Sequence, residues 1–215
     1  MLGIIFTGGE GPHPQIAKRI IKKETRDVFF VAADSGLAAA EEAGIKPHCI
    51  IGDMDSVDVS RLKPYPAECV IRHARDKDYT DTELALQKIT ENRCDEIWIF
   101  GGGEGRIDHL LAIRSLFERD LFPGRWLTKT EDIRCIDAET EKNELVLYPP
   151  KGTKVSVFPL GSGPWETKSS GLKWQLSGLS WDRMFFSLSN VTLDSEIKIK
   201  AEKGRFFVIL PHFNN

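Results

Sequence analysis

The chain has 215 residues, 41% hydrophobic and 28% charged, which supplies enough apolar material for one large or two modest cores and excludes a disordered polymer. A formal net charge of -3 excludes a global field that would hold the protein on nucleic acid or an anionic membrane, so a small-molecule partner is expected. The four cysteines (Cys49, Cys69, Cys94 and Cys135) show no C-x-x-C pair or zinc spacing, the start is too short in apolar residues for a signal peptide, and no run of about 18 apolar residues occurs. Reduced thiols in a cytoplasmic protein with no membrane span are expected.

In chain order, short apolar runs at residues 2–6, 28–33, 49–51, 69–72 and 97–100 alternate with helical patterns at 14–23, 37–43, 81–91 and 106–118. This alternation predicts a doubly wound, mostly parallel sheet with helices on both faces, built from about five βα units. Thr80 and Glu83 have the spacing of a capping box, and Thr82, Ala85, Leu86 and Ile89 then share one helix face, which places Asp81 at a helix entrance. In the later helix Leu110, Ile113 and Phe117 make the apolar stripe, with Arg106 and Asp108 expected in its first turn.

From about residue 129 the texture changes to short runs such as ELVLYP, TKVSVFPL, EIKIKAE and RFFVILP, separated by Gly, Pro, Ser and Asn clusters. These predict a smaller all-β sandwich over residues 129–215, after an α/β domain over 1–128.

The densest acidic constellation, Gly52-Asp53-Met54-Asp55-Ser56, follows an apolar run, where ligands collect at the carboxyl edge of a parallel sheet. A D-x-D alone is more readily a solvated turn than a ligand site. Asp81 and Asp108 at two helix entrances add acidic groups at corresponding places, although either alone is explained by the helix dipole. Two carboxylates about 5 Å apart repel by roughly 3 kcal/mol at an effective dielectric near 20, so a cluster of them predicts a cation. Magnesium, a hard ion that shares its sphere with phosphate oxygens and water, suits such a set.

The second constellation is the loop Gly101-Gly102-Gly103-Glu104-Gly105 before Arg106, Asp108 and His109. Its glycines, Gly102 and Gly103 among them, allow backbone amides to approach phosphate, and Arg106 offers a fork of donors, whereas the P-loop pattern is absent. Turn geometry explains a glycine loop equally well, and His109 either orients a phosphate or packs on the sheet. Asp34-Ser35-Gly36 either touches a ligand or caps the next helix, and Lys77 and Asp78 read as a solvated loop.

Taken together and in order, ADSG, IGDMDS, KDYTDTELAL and GGGEGRIDH resemble the catalytic domain of the thiamine pyrophosphokinases, and Gly171-Leu172-Lys173-Trp174 with Ser187-Leu188-Ser189-Asn190 resembles that family's thiamine-binding segments. The resemblance spans nearly the whole chain. It implies transfer of pyrophosphate from ATP to the thiamine hydroxyl, giving thiamine diphosphate and AMP, in a homodimer with the thiamine site between subunits. It makes Asp53, Asp55 and Asp81 the magnesium ligands, puts Arg106 and Asp108 at the nucleotide or substrate arm, and assigns Trp174, Ser187, Ser189 and Asn190 to thiamine. Asp34, Ser35 and Gly36 join Gly102, Gly103, Arg106 and His109 as expected nucleotide contacts. Two departures stand out: the family's D-G-G is Asp34-Ser35-Gly36 here, and its S-N-E is Ser189-Asn190-Val191. Competing expectations are another magnesium-dependent kinase or nucleotidyltransferase, or a non-catalytic thiamine or nucleotide sensor. Composition alone makes Trp174 a core residue, whereas the resemblance makes it a stacking platform.

Overall fold

A computed structural model describes residues 1–213. The chain divides into two compact units, Met1–Lys129 and Thr130–Asn215. No helix among the described residues is long and apolar enough to cross a membrane, and all four cysteines are free thiols.

The first unit runs β1 (Leu2–Phe6), α1 (Pro14–Lys22), β2 (Val28–Ala33), α2 (Gly36–Glu42), β3 (Cys49–Gly52), α3 (Val59–Leu62), β4 (Val70–Arg72), α4 (Asp81–Glu91), β5 (Glu96–Phe100), α5 (Ile107–Leu116) and β6 (Arg125–Leu127). Its strands lie in the order β4-β3-β2-β1-β5-β6, every pair parallel. Buried continuous apolar runs such as LGIIF fit this arrangement, because a parallel strand is covered on both faces. Leu2, Ile4 and Phe6 pack with Ala17 of α1 and Ala40 of α2. On the other face α4 lies against β1, β2 and β3. A Cβ on Gly3 would lie 2.5 Å from Cγ2 of Ile89, so this seating of α4 requires glycine in β1.

The chain travels outward from β1 to β4 and then returns to β5 beside β1. That reversal leaves a crevice at the carboxyl ends of β1 and β5, where open α/β sheets bind ligands.

Helix α4 begins as its sequence predicts. The Thr80 amide donates to Glu83 Oε2 (2.8 Å), and the Glu83 amide donates to Thr80 Oγ1 (3.2 Å). Thr82, Leu84, Ala85, Leu86 and Ile89 are buried. The α5 expectation needs correction: Arg106 is the N-cap residue rather than part of the first turn, Leu110 is exposed, and the buried face is Ile113, Leu116 and Phe117. Ser35 does stand at the N-cap position of α2, although its side chain makes no cap hydrogen bond.

Behind β2 and β5, Arg26 closes a fork on Glu24 (Nε to Oε1 2.8 Å, Nη2 to Oε2 2.7 Å) and reaches Glu96 with Nη1 (2.6 Å). The guanidinium holds the Glu24 carboxyl well below its usual range, at about 2. A folded value below the unfolded one means that this stabilisation is present above about pH 4.5 and is lost as the pH falls through about 2. Glu24→Gln should therefore be less stable than wild type at neutral pH and match it by about pH 2 in denaturant titrations across that window. A stability gap that does not change with pH would overturn this assignment.

The second unit contains β7 (Glu131–Asp137), β8 (Glu144–Leu147), β9 (Lys154–Leu160), β10 (Glu166–Ser170), β11 (Ser187–Val191), β12 (Ile197–Lys203) and β13 (Arg205–Pro211). Antiparallel pairing joins β7-β13-β9-β11 in one sheet and β10-β12-β8 in another. Ile136, Val157, Phe206 and Val208 of the first meet Leu147, Ile197, Ile199 and Ala201 of the second in one core, completing the predicted sandwich. Trp181 closes that core, edge-on to Phe206, with its indole N–H donating to Thr167 Oγ1 (3.1 Å).

Candidate active site

The site is assembled from the ends of strands. After β2, Asp34 adopts a left-handed backbone (φ 45°), and after β3, Met54 does the same (φ 63°) while its side chain is buried. Such conformations are disfavoured for side-chain-bearing residues and concentrate at functional sites. With Met54 anchored in the core beside Ile50 and Leu62, the flanking Asp53 and Asp55 turn toward the crevice. The Asp55 amide donates to Asp53 Oδ1 (3.0 Å). That bond, helped by Lys77 and Arg75, holds the Asp53 carboxyl below the usual carboxylate range.

Asp34, Asp53 and Asp55 can each bring one oxygen within 4.8 Å of the other two. Burial pushes the Asp34 carboxyl above its usual range, and the charges of Asp81, Asp53 and Asp55 push the same way. Its Oδ1 is buried with no hydrogen-bond partner among the described residues. A hard divalent cation fits this set: oxygen donors only, mutually repelling, one of them buried and unsatisfied.

The composition of the acidic group differs from the expected one. Asp34 stands where Asp81 was expected as the third carboxylate. Asp81 lines the same cavity but is ion-paired to Lys77, Nζ to Oδ1 2.9 Å. The reason is local geometry, since Asp81 opens α4 and Lys77 folds back across that helix entrance, so Lys77 does not belong to a solvated loop.

The cavity, about 780 Å³, is lined by Asp34, Ser35, Asp53, Asp55, Lys77 and Asp81 on the acidic side, and by Gly102, Arg106 and His109 on the other. This is room for a nucleotide-sized ligand. Arg75 reaches Asp55 (Nε to Oδ2 3.5 Å), a cation that its exposed sequence context did not advertise. Arg106 grips Asp108 with two bonds, Nε to Oδ1 3.1 Å and Nη2 to Oδ2 2.5 Å. Asp108 is exposed and does not line the cavity; it orients Arg106 rather than facing the crevice.

The glycine expectation also needs correction. The Gly102 amide donates to Gly8 O (2.8 Å), the Gly103 amide to Glu10 O (3.0 Å), and Glu10 N returns to Gly103 O (2.7 Å). These bonds zip the loops after β1 and β5 into one floor, so the two amides are engaged within the protein. Gly102 lines the cavity by its backbone, Gly103 does not, and a Cβ on Gly102 would strike Ile113 Cδ1 at 2.0 Å. Gly36 lies outside the lining as well, and a Cβ there would lie 2.2 Å from the Phe6 carbonyl oxygen, which makes it a packing glycine. A further contact was not anticipated: the hydroxyls of Thr7 and Thr82 bond at 2.6 Å in a buried position, tying the end of β1 to the start of α4.

In the second unit Trp174 is 54% exposed, with Lys173 Nζ 4.6 Å from its ring centre, so the core reading is set aside. Asn190 is buried instead. Its Oδ1 accepts from the amides of Trp174 (3.1 Å) and Val191 (2.8 Å), while Nδ2 donates to Trp174 O (2.6 Å). Thus Asn190 positions Trp174 and presents no free polar atom of its own. Ser187 is half-buried in β11, and Ser189 is exposed at a bulge with φ 56°.

An open parallel sheet with a charged crevice at its reversal point, followed by an antiparallel sandwich, defines a two-domain protein whose α/β unit carries a ligand crevice at the carboxyl ends of its strands. Two family models match the chain: the thiamin pyrophosphokinase catalytic domain over residues 21–121 and the thiamin pyrophosphokinase vitamin B1 binding domain over residues 136–206. The chain belongs to the thiamine pyrophosphokinase family. It is 29% identical to the thiamine pyrophosphokinase of Bacillus subtilis over 161 residues, 69% of this chain and 71% of that protein. It is 26% identical to thiamine pyrophosphokinase 2 of Arabidopsis thaliana over 176 residues, 76% of this chain and 65% of that protein. The crystal structure of the Bacillus subtilis protein superposes with a TM-score of 0.77 at 24% identity, covering 100% of both chains, a likeness that bears on the fold alone.

Proposed function

We propose that this protein is a thiamine pyrophosphokinase that uses ATP and magnesium, forming thiamine diphosphate and AMP. The observation that carries the reading is the cleft itself, in which Asp34, Asp53 and Asp55 face Arg75, Lys77 and Arg106. A thiamine hydroxyl attacks the β-phosphorus of ATP in line; the new O–P bond forms as the bond from the β-phosphorus to the oxygen of AMP breaks, and the hydroxyl proton is released to solvent. Such transfers depend mainly on positioning and charge neutralisation. Asp34, Asp53 and Asp55 would hold the magnesium, with Asp81 close by, and the ion's chemistry is to neutralise phosphate oxygens. Arg106, held in orientation by Asp108, supplies a two-pronged grip on phosphate.

An assay with ATP, magnesium and thiamine that resolves the nucleotide products tests the reading. AMP is expected. ADP would indicate a simple kinase, free pyrophosphate a nucleotidyltransferase, and no turnover a sensor.

In this reading the protein works as a homodimer in the cytoplasm, with thiamine bound between subunits. Exposed Trp174, Met184 and Leu188 on the β unit, and Ile107 and Leu111 on α5 beside Arg106, support an apolar interface. The indole face of Trp174 suits the pyrimidine and the cationic thiazolium, with a hydroxyl from Ser187 or Ser189. Trp174→Ala is expected to weaken thiamine binding by roughly 1 to 3 kcal/mol, with stacking on nucleic-acid bases as the guide, and to leave ATP binding unchanged in calorimetric titrations. Because the ring is exposed, the variant should fold. Normal thiamine affinity in that variant, or full activity in a monomer, would defeat the model.

A further inference from the structure

Lys77 precedes α4 by one turn of chain, and the entrance of a helix is an unfavourable place for a cation. Its side chain is nevertheless only 15% exposed and lies along the cavity wall with its ammonium 2.9 Å from Asp81 Oδ1. That contact is not aligned as a hydrogen bond, and Asp81 Oδ1 is buried with no hydrogen-bond partner among the described residues. Charge, rather than a directed bond, therefore holds the ammonium in place. The other cations of the cleft are far more solvated: Arg75 is 84% exposed and Arg106 71% exposed, each facing its own carboxylate, Asp55 and Asp108. Lys77 is thus the least hydrated of these three cations, and its attraction for an incoming anion is the least screened. A compact ammonium on a flexible four-carbon stem can turn from one acceptor to another, which a planar guanidinium locked in a fork cannot do as freely.

We infer that Lys77 is a substrate-binding residue that grips a non-bridging oxygen of the polyphosphate chain and competes with the divalent cation for Asp81. This rests on the phosphate-handling reading of the cleft. Lys77 neutralises Asp81, turns toward the polyphosphate as that chain enters, and leaves the carboxylate available to a positive ion.

Lys77→Met and Lys77→Arg, made in the full chain, test the inference in two binding experiments and one kinetic one. Calorimetric titration with magnesium chloride alone should show Lys77→Met binding the ion about threefold more tightly than wild type, because a competing positive charge is gone. Titration with inorganic tripolyphosphate in the presence of magnesium should show binding about tenfold or more weaker. In turnover, the KM for ATP should rise while the KM for thiamine stays put. Lys77→Arg should return magnesium affinity to the wild-type value and recover part of the tripolyphosphate binding. If Lys77→Met does not fold, Lys77→Gln takes its place. Magnesium and tripolyphosphate affinities both within twofold of wild type would overturn the inference. So would an equal loss of both ligands that Lys77→Arg also shows, since that marks a structural role. A wild-type protein that forms no AMP would sink the proposed function, yet the magnesium titration would still decide the competition at Asp81.

Discussion

Asn in place of Asp53 or Asp55 is expected to lower thiamine-dependent AMP formation by about two orders of magnitude or more, while the protein stays folded. Asn retains an oxygen in the Oδ1 position, so Asp53→Asn can still accept the Asp55 amide and keep the turn that follows β3. What it loses is negative charge, the property that a hard cation requires. Neither variant should gain stability without magnesium, because the Asp55 amide, Lys77 and Arg75 already favour the charged form of Asp53 and Arg75 also faces Asp55; exposure of these groups keeps any loss small. The arrangement also separates two assignments. If Asp34 completes the group with Asp53 and Asp55, Asp34→Asn should raise the magnesium concentration for half-maximal activity more than Asp81→Asn does. Activity near normal at saturating magnesium in the Asp53 and Asp55 variants would end the metal assignment.

Arg106→Lys should lower turnover by more than about tenfold, although it conserves charge. The guanidinium meets the Asp108 carboxylate with two parallel bonds, a geometry that a phosphate can also accept and an ammonium cannot reproduce. The side chain is exposed at the N-cap position of α5, so the substitution removes no core packing and the fold should be intact by circular dichroism. Steady-state kinetics on the folded variant provide the check. Full activity would make Arg106 a surface partner of Asp108 and nothing more.

The parts of the fold that show in the sequence are those where each element states its own environment. The strands β1, β2, β3 and β5 are continuous apolar runs because both of their faces are covered, and α4 carries its cap and its buried face within eleven residues. β6 escapes notice because it is three residues long. β7 escapes because it looks polar: Asp132 and Asp137 are buried in it, compensated by Arg134 and by Arg205 of β13. Burial of a charge is legible only when its partner is known, and here one partner lies at the far end of the domain.

The candidate site divides along the same line. Asp53, Asp55, Asp81, Arg106 and His109 follow from local motifs at strand and helix ends, and all five line the cavity. The sequence by itself thus determined the fold class, the family resemblance and most of the chemical groups of the cleft, because these depend on residue type, periodicity and short spacing. Tertiary structure alone decided how those groups are used. It put Asp34 with Asp53 and Asp55, turned Lys77 onto Asp81, tied the Gly102 and Gly103 amides to the loop after β1, and buried Asn190 under Trp174. Each of these is an interaction through space between groups whose energy depends on solvation and on a partner supplied by another part of the backbone, and periodicity along a chain records neither.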